Sequence, residues 1–269
     1  MKKYLFLITT VILLSACGHN YKKELVKTPV IEKEDSIVKV LEERPQEKKI
    51  INFSEEIKTE KKIICIDPGH GVTSEKKMEK VSPKSEILKP AYVAGTKGVN
   101  LTEEQLNLIL AKKIKILLEK EGFEVLLTRD ISEIALSNIE RAELANKSGA
   151  LISVHVHADW SGNPLTHGIS VLIPNGDLLI KPEIIEKSKL LGQDILDSTV
   201  KITAAKNNGL SPRNDLTGLN WSNIPSIFIE TGFMSNKDED SLLETEEYQN
   251  KVAEGISSGI ISFVQKNKE

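Results

Sequence analysis

Residues 61–71 read KKIICIDPGHG. Ile63, Ile64, Cys65 and Ile66 form a short, continuous apolar run rich in β-branched residues, which predicts a buried strand. Asp67, Pro68, Gly69, His70 and Gly71 then break it into a turn, since proline and glycine punctuate regular structure. A buried strand that delivers a histidine onto a glycine-flanked turn suggests a site at the strand's carboxyl end.

Downstream, helical and strand patterns alternate. Residues 102–122 predict a helix: Thr102 can cap it, and Glu103, Glu104 and Gln105 suit its positive end. Leu106, Leu110, Ile114 and Leu117 fall on one face, and Gly122 can end it. FEVLLTRD (123–130), ALISVHVHAD (150–159), HGISVLIPNG (167–176) and IPSIFIETG (224–232) predict strands. LSNIERAELANKSG (136–149), residues 182–203 and one closing segment over 239–266 predict helices. Strands alternating with helices give a three-layer α/β fold, a mainly parallel open sheet with helices on both faces. Sites in such folds lie at the carboxyl ends of the strands.

The chain has 269 residues, a formal net charge of -3, 28% charged residues and 4% aromatics. Nucleic-acid binding is not expected, because no basic excess or aromatic platform is present. Residues 1–17 read as a secretory signal: Lys2 and Lys3, an apolar run too short to span a bilayer, then small residues. Leu14-Ser15-Ala16-Cys17-Gly18 resembles a bacterial lipobox, which implies lipidation at Cys17 and a membrane anchor of two acyl chains. Residues 18–60, rich in Lys and Glu, read as a charged flexible tether. Residues 61–269 form the folded domain. Cys65 is the second of two cysteines, so no structural disulfide is expected, and its place inside a strand argues against a catalytic thiol.

Polar residues collect at the predicted strand ends. His70 comes just after the first strand, His155 and His157 sit in SVHVHAD, and Glu230 ends IFIE, while Glu103 stands in the first turn of the first helix. Two histidines and a carboxylate on one sheet edge suit a first-row metal, with zinc the default, and three protein ligands leave a position for water. The i, i+2 spacing of His155 and His157 turns both to one side.

Six ordered blocks carry a resemblance: IDPGHG, residues 103–130, LSNIERAELAN, ISVHVHAD, IPSIFIETGFMSN and YQNKVAEGISSGI. Together they resemble the zinc-dependent N-acetylmuramoyl-L-alanine amidases of bacterial cell walls, over about residues 61–266. The resemblance implies zinc ligands at His70, Glu103 (with Glu104 as fallback) and His155, and an essential glutamate at Glu230. It implies hydrolysis of the amide between N-acetylmuramic acid and L-alanine in peptidoglycan, outside the cytoplasmic membrane. His157, Asn220 and Trp221 are candidates for substrate contacts, and His157 is also a substitute ligand should His155 point inward. Asp67 either orients His70 or shapes the turn. Arg129 and Arg141 either bind peptide carboxylates or hold loops. The pattern departs from the family at Val72, at His157 and in the long segment between His70 and Glu103. Two other functions stay open: a zinc peptidase cutting stem peptides, and a catalytically silent wall-binding module. Whether a protein activator must open the site is likewise open.

Overall fold

The computed structural model describes residues 62–267. The signal, the Cys17 lipobox and the tether lie outside the described residues. The elements in chain order are β1 (Ile63–Pro68), β2 (Met78–Lys80), β3 (Leu88–Pro90), α1 (Glu103–Lys120), β4 (Glu124–Leu127), α2 (Asn138–Lys147), β5 (Ile152–Asp159), β6 (Ile169–Pro174), α3 (Ile184–Thr203), β7 (Asn207–Arg213), α4 (Thr217–Asn220), β8 (Ser226–Phe233), α5 (Lys237–Leu243) and α6 (Glu246–Lys266).

The main sheet runs β4-β1-β5-β8-β6-β7. β4, β1, β5 and β8 are parallel; β6 is antiparallel to β8, and β7 is parallel to β6. The expected mainly parallel three-layer fold is therefore present, with its last two strands reversed. On one face, Ile66, Val156, Ile229 and Val171 pack with helices α1, α3 and α6 into the principal core. Leu106, Leu110, Ile114 and Leu118 are fully buried there, each contributing about 1.5–3 kcal/mol. Leu118 takes the fourth place expected of Leu117, which is only partly buried against the core. On the other face, Cys65 packs with Ala145 of α2 and with Ala150. That burial pushes the Cys65 thiol up to about 12, in keeping with an inert core residue.

Three local features differ from expectation. The closing segment is two helices, because Thr245 caps a new one by accepting a hydrogen bond from the Tyr248 amide. β7, with the sequence NNGLSPR, has no alternating apolar signal; pairing with β6 makes it a strand. The long segment between His70 and Glu103 contains the β2–β3 hairpin. The hairpin is tied down where the Asn220 side-chain amide donates to the Val81 carbonyl and the Trp221 indole to the Lys80 carbonyl.

Candidate metal and hydrolytic centre

The site begins where β1 stops. Pro68, Gly69 and His70 turn their carbonyls toward two buried arginines. Arg129 donates to the carbonyls of Pro68, Gly69 and Glu104. Arg141 donates to the carbonyls of Pro68 and His70 and to Asp67 Oδ1, the last at 2.6 Å. The turn is thus held by guanidinium groups, and His70 is fixed in a left-handed conformation, φ +63°, at a cost of about 1–3 kcal/mol. Burial and the neighbouring Arg141 lower the Arg129 pKa to about 10, so it remains a cation at neutral pH.

His70 Nδ1 donates to the Val93 carbonyl at 2.7 Å. A carbonyl can only accept, so this bond assigns the proton to Nδ1 and leaves Nε2 to face the site. Nε2 lies 2.9 Å from Glu103 Oε1 and 3.1 Å from His157 Nδ1, and His157 Nδ1 lies 3.1 Å from Glu103 Oε1. Glu103 is aimed by the amides of Thr96, at 2.8 Å, and Ala158, at 3.2 Å. Burial opposes its ionisation, but the neighbouring His157 and His70 favour the charged form and hold its carboxyl well below the usual range.

His70, Glu103 and His157 are the group of donors among the described residues that converges as a metal site. A tetrahedral ion with ~2.0–2.1 Å bonds asks for donor separations of roughly 3.3 Å, close to the three distances observed. Two imidazole nitrogens facing each other and a carboxylate at about 3 Å repel unless a proton or a cation lies between them, so the donor set fits a His₂Glu ion. Glycines leave room for the ligand side chains. A Cβ on Gly69 would lie 2.2 Å from His157 Cε1, and one on Gly95 would lie 2.9 Å from Glu103 Cβ.

His155 is not in this group, which corrects the expectation from sequence. Both of its nitrogens are used by protein. Nδ1 lies 2.6 Å from Asp67 Oδ2, and Nε2 lies 3.1 Å from the Ser226 hydroxyl. The ring is 2% exposed and stacks on Phe228, centroids 4.2 Å apart. The cause is register: His155 pairs with Asp67 on β1, whereas His157 lies two residues further along β5 and reaches the level of the turn. Asp67 therefore serves His155, Arg141 and Thr128 rather than His70. Glu104 is not drawn into the triad; its carbonyl serves Arg129. Asn220 and Trp221, expected at the substrate, instead anchor the hairpin, and Asn220 is fully buried.

Glu230 on β8 pairs with His157 on β5, so both side chains leave the sheet on the same face. Burial raises its pKa well above the ordinary glutamate value, helped by the charges of Glu103 and Asp159 and opposed by Arg213. Arg213 and Asp159 do not stand out in the sequence. The first lies in a strand without a strand pattern; the second ends the SVHVHAD block, where the histidines dominate the reading.

The family model described as N-acetylmuramoyl-L-alanine amidase matches residues 64–262. This chain belongs to that family. AmiA of Escherichia coli is 25% identical over 241 residues, 76% of this chain and 76% of AmiA. AmiB of Haemophilus influenzae is 27% identical over 242 residues, 74% of this chain but 51% of AmiB, so the chain spans about half of that relative's length. The crystal structure of the amidase Ami1 from Mycobacterium smegmatis matches with a TM-score of 0.70 at 23% identity, covering 77% of this chain and 98% of Ami1. That last likeness is one of fold. In this amidase-family chain the matched residues 64–262 include every residue of the triad.

Proposed function

We propose that this chain is a zinc-dependent amidase that hydrolyses the bond between N-acetylmuramic acid and L-alanine in peptidoglycan, with His70, Glu103 and His157 as the metal ligands. The observation that carries the reading is the convergence of these three donor atoms beside Glu230, at the sheet edge where the first turn of α1 meets the ends of β1 and β5. A zinc ion held there would supply Lewis acidity to a carbonyl oxygen, lower the pKa of water and offset the charge of Glu103 felt by Glu230.

The chain's own residues do the rest. Glu230 is the proton carrier: it accepts the proton of the attacking water and returns it to the amide nitrogen as the C–N bond breaks. Its burial favours the protonated form, which suits the second half of that task, because the carboxyl must carry the proton until the nitrogen takes it. Asp67, Arg141 and Arg129 hold the turn that carries His70 and exclude water from beneath it. His155, clamped between Asp67 and Ser226, packs under His157 by way of Phe228, which contacts both rings.

The N-terminal sequence supports export and lipidation at Cys17, which would place the enzyme outside the cytoplasmic membrane on a charged tether. The test uses the full chain and purified peptidoglycan, with released ends identified by mass spectrometry, with and without chelator. Intact glycan strands and free peptides beginning at L-alanine are expected, lost on chelation and restored by zinc. Glu230→Gln should lower the rate by about 10²–10⁴-fold while keeping zinc. Cuts within the peptide would replace this reading with a stem-peptide peptidase; zinc binding without cleavage by the wild type would favour a silent wall-binding module.

A further inference from the structure

The face of the sheet that carries His157 and Glu230 is covered unevenly. Over β4 and β1 it is packed by α2. Over β8 the Phe228 ring stacks on His155 and is approached by α4, where a Cβ on Gly218 would lie 3.2 Å from it; Phe228 and Glu230, Ser170 and Leu172, and Ser211 and Arg213 are all half-buried, although each lies on a sheet strand. Register puts these side chains on one face, since Glu230 pairs with Ser170, Phe228 with Leu172, Leu172 with Ser211 and Pro174 with Arg213. Their sequence neighbours Val171, Ile229 and Leu210 point the other way, into the principal core. A row of half-buried side chains therefore leads from Glu230 across two strands to Arg213.

Arg213 is held at the end of this row. Its Nε and Nη2 donate side-on to Asp215, at 2.8 and 2.9 Å, and Asp215 is braced from the hairpin by Lys89 Nζ at 3.0 Å. This fixes the plane of the guanidinium and leaves Nη1 with no hydrogen bond among the described residues. Of the three arginines there, Arg129 and Arg141 are buried and committed to the β1 turn. Arg213 is the one whose guanidinium remains partly open, its side chain 36% exposed. Its positive charge reaches both Glu230 and Asp159, which places it within electrostatic range of the proton carrier.

We infer that Arg213 is a specificity-determining residue that binds a carboxylate of the substrate's peptide, drawing the acidic stem across β8, β6 and β7. The inference rests on the amidase reading above. The chemistry selects the peptide side, because in a muramoyl peptide the lactyl carboxyl is consumed in the amide, so the free carboxylates are on the peptide. Two strand spacings of ~4.8 Å and four residues of ~3.3 Å put the Cα atoms of Glu230 and Arg213 roughly 16 Å apart. The two long side chains take up about half of that span, which leaves room for about two or three extended residues. Arg213 thus reads a carboxylate at the second or third peptide residue. Guanidinium suits this role, since its planar donors match a carboxylate and its charge is permanent.

The test measures binding apart from catalysis. Free stem peptides, with a carboxylate or a carboxamide at the second and at the third residue, are titrated by calorimetry into the full chain after chelator treatment. The acidic peptide should bind at least about tenfold more tightly than the amidated one. Arg213→Met should remove that preference, Arg213→Lys should keep part of it, and Asp215→Asn, which frees the guanidinium without removing it, should weaken it. Thermal melting of each variant checks folding. Equal binding of acidic and amidated peptides, no binding of either, or an unchanged preference in Arg213→Met would overturn the inference. Cleavage of the muramoyl peptide by the wild type is scored separately, so the amidase reading can fail while this result stands, and the reverse.

Discussion

His155 and His157 differ by one step of the pleat, yet their chemistry diverges completely. The first is locked between a carboxylate and a hydroxyl; the second presents a nitrogen to His70 and Glu103. Loss of outer partners alone costs a metal site 10–100-fold in affinity, so His157→Ala should lose about 100-fold or more, measured by competition with a zinc indicator. His155→Asn should instead bind zinc stoichiometrically but lose about 1–3 kcal/mol of stability, because Asp67 is left short of a buried donor; chemical denaturation reads that loss. Zinc lost from the His155 variant and kept by the His157 variant would reverse the assignment. Asp159 gives a second residue-scale prediction. Its negative charge raises the Glu230 pKa, so in Asp159→Asn the base form of Glu230 persists to lower pH. The acidic limb of the kcat profile should then move to lower pH, and a move upward would contradict the electrostatic argument.

At the scale of the element, the β1 turn is the part of the structure most closely fitted to the site. Gly69 is needed because the His157 ring occupies the place of its side chain. Gly69→Ala should therefore push that ring aside and weaken zinc binding by about 10–100-fold, with the circular dichroism spectrum of the fold retained. Gly162→Ala is the control, since the nearest atom to its added Cβ is 3.9 Å away. Equal zinc affinity in both variants would refute the packing argument. Elements were also where the sequence was most informative. Helix α1 and strands β1, β5 and β8 follow from local periodicity, and the structure contains them; Thr102 takes the N-cap position, but its amide is satisfied by the Gln105 side chain while its own hydroxyl makes no capping bond. β7 and the β2–β3 hairpin were not legible, because NNGLSPR and MEK carry little intrinsic β preference and are made strands by their neighbours.

At the scale of the whole molecule, the buried Asp67–Arg141–His155 cluster joins β1, α2 and β5. Burial alone would raise the Asp67 pKa; the charge of Arg141 and the hydrogen bond from His155 outweigh it and hold the carboxyl well below its usual value. The folded pKa is depressed, so this stabilisation is complete above the unfolded carboxylate pKa of about 4 and is lost as pH falls through the folded value. Asp67→Asn should cost about 3–5 kcal/mol near neutral pH, since Arg141 is left buried without its partner. The gap between variant and wild type in urea denaturation should narrow as pH falls below the unfolded carboxylate value of about 4. A gap that stays constant with pH would mean that Asp67 acts by shape rather than by charge.

The sequence by itself determined the main strands and helices, the α/β class, the family resemblance, and the gathering of His70, Glu103 and Glu230 at one edge of the sheet. These are local or ordered properties: caps, periodicities and motif blocks survive without knowledge of which strands touch. Only the tertiary structure decided which histidine completes the triad, that Asn220 and Trp221 anchor a hairpin, and that of the three arginines around the site Arg213 alone keeps an open face. Each of those depends on register between strands distant in sequence. Asp67 stands beside His155, so His155 is consumed there, and His157 alone reaches the turn where His70 waits.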